Sequence, residues 1–280
     1  MNLLIKIKKD QFAHHFQNKM IGLFLGDTDF SEIVLNKVKK LKKKYFIIDF
    51  SKNNKFKKEK NSYKISIGKF GKIINLIKEK KSKKVLFAGK IAKPNFSSLR
   101  LDLKGIYYMP SVIRAAKIGD AAIIKAIIKI LTNEGIKVIS SIFFNPELTL
   151  TKGNFSKIKP NKQDIISINK GQLYFNKINN LDHIQALVVK DGKIVAKEGR
   201  EGTKKMLSKL RKVSNGILIK LPKRKQDLRM DLPTIGLQTL KDIKKHGLKG
   251  VVLKSKKNIF LDKKKVINFA NKNNIFISII

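Results

Sequence analysis

The sequence predicts an α/β protein whose chain opens on a parallel sheet and continues into a second α/β domain. Three observations carry that expectation. Residues 20–26, MIGLFLG, form an apolar run closing on glycine, and an amphipathic stretch and a second apolar run at 45–50 follow it. A strand, glycine loop, helix, strand unit of this kind favours parallel pairing. A polar stretch without periodicity, 149–163, carrying Gly153 and Pro160, divides the chain. Beyond it, Asp191-Gly192 stands between runs at 184–189 and 193–197, a strong hairpin signal. The expected plan is an N-terminal extension at 1–19 (with Met20 as an alternative start), a first domain at 20–148, a linker at 149–163 and a second domain at 164–280.

The elements follow in order. After the first strand, residues 31–44 read as a helix with Ile33, Val34, Val38 and Leu41 inward. The turn between them is neither GxGxxG nor a GK[ST] phosphate loop, although a glycine loop before a helix suits a phosphate, because the helix start presents free amides. A tight turn is the competing reading. Residues 51–62 are a Lys/Asn-rich loop, 70–80 a helix and 85–88 a strand that runs into Gly89-Lys90. Residues 88–105 lack periodicity and carry Lys93, Pro94, Arg100 and Asp102 at the carboxyl end of a strand, where open α/β sheets place ligands. Residues 110–131 read as largely buried helix with Lys125 and Lys129 on one face and Gly119-Asp120 able to cap a new helix segment within it, and 137–140 as a strand. In the second domain, 164–178 and 204–213 are expected helices and 216–221 a strand. Residues 236–246 form a helix, and 250–253 and 258–261 form strands. Asp262 caps a helix at 263–271, and a strand at 275–280 closes the chain.

Composition removes several classes. There is no cysteine, so disulfides and thiolate metal sites are excluded, and the four His make no zinc pattern. No apolar run reaches the ~20 residues that span a bilayer, and the opening 19 residues hold no signal-peptide core. The net charge of +43 invites nucleic acid, yet the basic total of 63 contains only six Arg and the Lys excess runs with Ile and Asn, as AT-rich codons produce. Base readout needs Arg, Asn and Gln at defined positions, so no nucleic-acid partner is expected. Attraction to an anionic membrane surface fits better.

The chemistry is expected in 221–236, LPKRKQDLRMDLPTIG. Acids number only 20 in the chain, yet Asp227 and Asp231 flank the rare Arg229 here, after Gln226. Paired carboxylates suit a hard divalent cation, and the Arg fork suits phosphate. The competing reading is a polar loop whose acids cap the next helix and pair with Arg229. Rare residues gather again at 198–203, EGREGT.

With IGLFLGD at 21–27, AGK at 88–90 with KP at 93–94, GD at 119–120, FNPEL at 144–148, KDG at 190–192, EGT at 201–203 and QDLRMDLPTIG at 226–236, the sequence resembles the bacterial UDP-2,3-diacylglucosamine pyrophosphatases of lipid A synthesis, in their two-domain form unrelated to calcineurin-like phosphoesterases. The resemblance implies a Rossmann-like nucleotide-binding first domain, an α/β catalytic second domain and a site in the cleft between them. It implies hydrolysis to UMP and 2,3-diacylglucosamine 1-phosphate with Mg²⁺ or Mn²⁺, the water going to the sugar-side phosphorus. Asp227 and Asp231 would hold metal or water, with Arg229 as their catalytic neighbour. Gln226, Glu201, Gly202 and Thr203 would complete the substrate site, and Gly22, Gly26, Gly89 and Lys90 would hold the nucleotide. A Gram-negative source and a cytoplasmic protein peripheral to the anionic inner membrane also follow, with a homo-oligomer left open. Asp27-Thr28, Lys204 and Ala121 depart from the family's usual Asn-Gly, post-EGT acid and GDDAL, so those positions carry nothing over. A transferase sharing the plan and a non-catalytic basic binding protein are the competing functions.

Overall fold

A computed structural model describes residues 19–178, 184–199, 201–210, 214–223 and 227–280. Residues 1–18 of the expected extension, the end of the expected 204–213 helix and Gln226 lie outside the described residues. The chain divides into two compact units, one running to Ile118 and taking in Ala122–Asn145, the other made of Gly119–Ala121 and Pro146–Ile280.

In the first unit, β1 (Ile21–Leu25) is buried along its whole length, as the central strand of a parallel sheet must be. Ile21 registers with Tyr45 of β2 (Tyr45–Asp49) on one side and with Lys84 of β4 (Lys84–Ala88) on the other. With β3 (Ser62–Tyr63) and β5 (Lys137–Ile139) the order is β3-β2-β1-β4-β5, all parallel, the plan of half a dinucleotide-binding fold. Gly22 allows the sheet to close up: a Cβ there would meet the Phe46 ring at 2.9 Å and Val85 at 3.0 Å. Between β1 and β2 lies α1 (Asp29–Lys40), which buries Phe30, Val34, Leu35 and Val38. The expected inward Leu41 is 43% exposed, because the helix ends one residue before it.

Three local expectations for this unit change. The loop at 51–62 buries Phe56 and leads into β3, so it extends the sheet. The helical stretch expected at 110–131 starts earlier and is two helices, α3 (Leu103–Ile118) and α4 (Asp120–Asn133), which follow α2 (Phe70–Glu79) and break at Gly119, where the sequence offered a new cap. Pro110 lies inside α3 rather than at its start. It stands on the exposed side, where water can take the place of the bond that proline cannot donate. On α4, Lys125 and Lys129 are exposed as expected, while Ile123, Ile124 and Ile127 are only half-buried.

The second unit is built on a six-stranded mixed sheet ordered β6-β13-β11-β9-β7-β8. Its strands are β6 (Gly153–Asn154), β7 (Ala186–Lys190), β8 (Lys193–Lys197), β9 (Gly216–Lys220), β11 (Leu248–Leu253) and β13 (Phe276–Ile279). Alternate residues face opposite ways. Leu218 packs with Leu240 and Ile243 of α7 (Leu237–Lys245) and Val266 and Ala270 of α8 (Lys263–Lys272). Ile217 and Ile219 pack with Ile168 of α5 (Lys162–Lys177) on the other face. The hairpin forms at Asp191-Gly192, both at positive φ, between β7 and β8. The stretch expected as a linker is built into this unit. Leu150 is 2% exposed in the core, held through its amide by the Asn258 side chain, and β6 pairs with β13. Asp262 does precede α8, but with a left-handed backbone and no side-chain capping bond.

Candidate functional site

β8 and β9 are both antiparallel to β7, so they end at the same edge of the second sheet. The motif segments leave from that edge. After β8 comes Glu198, only 3% exposed, and its carboxylate is fully used: Oε2 accepts the Gln185 amide at 2.7 Å and Oε1 accepts the Thr203 hydroxyl at 2.7 Å. Glu198 thereby fixes the entry to α6 (Thr203–Lys209), with Gly202 at its N-cap. Glu201, the acid of the EGT motif, points the other way and pairs at the surface with Lys209 at 2.7 Å. Of the two acids in 198–203, the structure therefore brings Glu198 to the edge and not Glu201.

β9 ends at Lys220, whose side chain is buried among the motif segments. Its Nζ donates to the Thr234 carbonyl at 3.3 Å. No carboxylate of the described residues comes within 4.0 Å of it, although Glu198 and Asp231 lie in electrostatic range. Burial pushes the Lys220 ammonium below its ordinary pKa, and the two carboxylates oppose that shift. A buried cation with no contact ion pair among the described residues is costly, which makes Lys220 a candidate site residue. Sequence reading passed over Lys220, one of 57 lysines. The usable signal was a Lys closing an otherwise wholly apolar strand, GILIK.

The following segment is anchored at its far end. Thr234–Ile235 (β10) pairs with Ile259–Phe260 (β12), and the amides of Ile259 and Leu261 bond to the carbonyls of Pro233 and Ile235. Between Lys220 and β10, residues 227–231 form a tight turn in which the Met230 and Asp231 amides reach the Asp227 carbonyl. Arg229 folds back on Asp227, donating from Nε to Oδ1 at 2.9 Å and from Nη2 to Oδ2 at 2.7 Å, and its backbone amide also bonds Oδ1 at 3.0 Å. In this state Arg229 braces Asp227. It is also the more exposed partner, at 46% against 16%, so a phosphate could claim the fork from outside.

Among the described residues no group of three His, Asp or Glu side chains gathers that could cage a metal. A magnesium-type ion does not need one, because it takes one or two carboxylates and fills its remaining positions with water and substrate phosphate. The acids that could serve such an ion are Asp227 and Asp231, held in one turn.

The first unit presents its own ligand-type edge. Its strand order reverses between β1 and β4, and open α/β sheets bind ligands beyond the carboxyl ends of the strands at such a switch point. Gly26 and Gly89 follow those two strands and press together. A Cβ on Gly26 would sit 2.2 Å from the Lys90 carbonyl, and the Asp27 amide bonds that same carbonyl at 2.9 Å. Gly89 has φ +83, and its missing Cβ leaves room for the buried Ser31 hydroxyl, which bonds the carbonyls of Gly26 and Ala88. Lys90 is exposed beside this junction. Gly22 lies four residues earlier, inside β1, where Phe46 and Val85 occupy the space of a Cβ, and serves packing. Asp49, at the end of β2 where a ribose-binding acid often stands, is fully buried and bonded to Ser51 and Phe56.

These features define a class: a two-unit α/β protein with a switch-point edge on one sheet and an acid, lysine and arginine edge on the other. Family models for the LpxI N-terminal domain and the LpxI C-terminal domain match residues 20–148 and 151–278. The chain is 32% identical over 223 residues to the UDP-2,3-diacylglucosamine pyrophosphatase LpxI of Caulobacter vibrioides, covering 76% of this chain and 80% of that protein. The chain belongs to the LpxI family.

Proposed function

We propose that this protein hydrolyses the diphosphate of UDP-2,3-diacylglucosamine to UMP and 2,3-diacylglucosamine 1-phosphate, within lipid A synthesis. Membership of the LpxI family makes it a hydrolase of a diphosphate bond, and the substrate is the one its Caulobacter relative is named for. The observation that carries the reading is the convergence of Lys220, Glu198 and the 227–231 turn at one strand edge.

The residues have distinct work in the reaction. Lys220 lies near Asp231 and supplies fixed positive charge that costs nothing to reorganise as charge builds on the diphosphate oxygens. The Arg229 fork, exchanged from Asp227 to a phosphate oxygen, binds and orients the chain of phosphates. Asp227 or Asp231 takes the proton of the attacking water as the water oxygen bonds to the sugar-side phosphorus and the anhydride P–O bond breaks, releasing UMP. Asp227 and Asp231 would hold a Mg²⁺ or Mn²⁺ ion, which would supply charge neutralisation and a more acidic water. Glu198 positions Thr203 at the rim. On the first unit, the Gly26 and Gly89-Lys90 junction would hold the nucleotide. The chain's +43 charge draws it to the anionic face of the inner membrane, where a diacyl substrate resides.

The test is turnover of UDP-2,3-diacylglucosamine with no added acceptor, before and after the metal is stripped with chelator and restored. UMP and the sugar phosphate should appear in equal amounts, vanish on stripping and return with Mg²⁺ or Mn²⁺. Full activity after stripping ends the metal assignment, and a requirement for an acceptor makes the enzyme a transferase.

A further inference from the structure

A surface helix normally buries one stripe and turns a polar face to water. α3 does not. It buries Gly105, Met109, Val112 and Ala115, and its opposite face is apolar as well. On that face Leu103 is 87% exposed, Ile106 60%, Tyr107 78% and, at the far end, Ile118 69%. Arg114 and Lys117 share the same face and are exposed too. Spacings of three, four and seven residues keep these positions within one side of the helix.

We propose that this face of α3 is a membrane-docking surface that lies in the headgroup region of an anionic bilayer. Leu103, Ile106 and Tyr107 enter the acyl boundary, and Arg114 and Lys117 meet lipid phosphates, the division of labour of an interfacial helix. Tyrosine suits the boundary because its ring is apolar and its hydroxyl stays wet. Charge selects the bilayer over a second copy of the chain. Residues 90–120 carry six Lys or Arg against two acids, and one of those, Asp102, is committed to the amides of Gly71, Lys72 and Gly105. A symmetric dimer would set like cations against each other across two chains of +43, whereas anionic lipid neutralises them. Four apolar side chains also fall well short of the ~800 Å² per partner of a stable protein interface. The choice of a bilayer, rather than any other anionic surface, leans on the proposed diacyl substrate.

The experiment is sedimentation with vesicles of mixed phosphatidylethanolamine and phosphatidylglycerol, comparing the parent with the L103S/Y107S variant across a salt series. Melting temperature and turnover of detergent-dispersed substrate are measured beside it. Lys attraction alone is screened within a few Å at ~0.5 M salt, so parent protein that stays bound there is held by apolar insertion. The parent should remain on the vesicles at that salt and the variant should be released, with unchanged melting temperature and turnover. An L103F/I106F variant should stay bound. Identical salt profiles for parent and L103S/Y107S overturn the proposal. So does a parent dimer that the variant breaks while vesicle binding is unchanged, which makes the face a self-association surface. Loss of turnover with unchanged vesicle binding also overturns it, because the face then holds acyl chains. If neither protein hydrolyses the substrate yet the vesicle difference stands, the docking surface survives and the proposed reaction fails.

Discussion

At the scale of single residues, Lys220 is the feature that separates a working edge from a decorated loop. It ends a buried strand, bonds one carbonyl and has no carboxylate in contact among the described residues. Because no contact pair is broken, Lys220→Met should leave the melting temperature within a few degrees of the parent. Loss of a preorganised donor for developing charge costs about 10²–10³ in rate, so kcat should fall by that order. Lys220→Arg should restore part of it. A variant that unfolds but keeps its turnover per folded molecule would make Lys220 structural. Residue chemistry was only partly legible in advance. The DLRMD acids stand out because acids are rare, and the structure does gather 227–231 into one turn. EGT points to Glu201, yet Glu198 three residues earlier is the acid that turns inward. Spacing alone does not decide this, because 198–203 has no periodic pattern to fix which side chain faces the sheet.

At the scale of elements, Glu134 ties three helices of the first unit. Standing just past α4, it accepts from Lys78 of α2 at 2.8 Å, from Lys104 of α3 and from Tyr108 of α3 at 2.9 Å. Those bonds, Lys104 and Lys78 foremost, hold its carboxyl at about 2, against an ordinary 4.5. A depressed pKa contributes stability that is complete above the ordinary value and is lost as pH falls toward the folded one. Stability of the parent should therefore decline from about pH 5 to about pH 2 more steeply than that of Glu134→Gln. At neutral pH that variant should be about 1–2 kcal/mol less stable, a figure kept small because both lysines are partly in water. Parallel acid-denaturation curves for the two proteins would remove the tie. Elements with strong periodicity were readable from sequence, as β1, α1, β2 and the Asp191-Gly192 hairpin show. The α3–α4 break was legible only as an option, a new helix cap at Gly119-Asp120. The apolar pattern runs through Gly119, and Pro110 reads as a helix start, while in the fold its exposed position lets α3 pass through it.

At the scale of the whole molecule, the LpxI family assignment makes the chain a diphosphate hydrolase, and the +43 charge suits substrates and surfaces that are anionic. The fold class followed from local pattern because strand and helix alternate through most of the chain. The 149–163 stretch was misjudged because a two-residue edge strand and one buried leucine leave almost no periodic trace. The account stands or falls on whether the 227–231 turn performs the chemistry or merely closes a loop. A carboxylate that acts as base is worth about 10²–10⁴ in rate, while a surface cap is worth about 0.5–2 kcal/mol of stability and little turnover. Asparagine keeps shape and one oxygen and removes the charge. The deciding measurement is kcat for release of UMP from UDP-2,3-diacylglucosamine by Asp227→Asn and Asp231→Asn, each beside its melting temperature. The account predicts that both lose turnover by about 10²-fold or more, in kcat and kcat/KM together, with melting temperatures near the parent's. Turnover within a few-fold of the parent in both variants would contradict it.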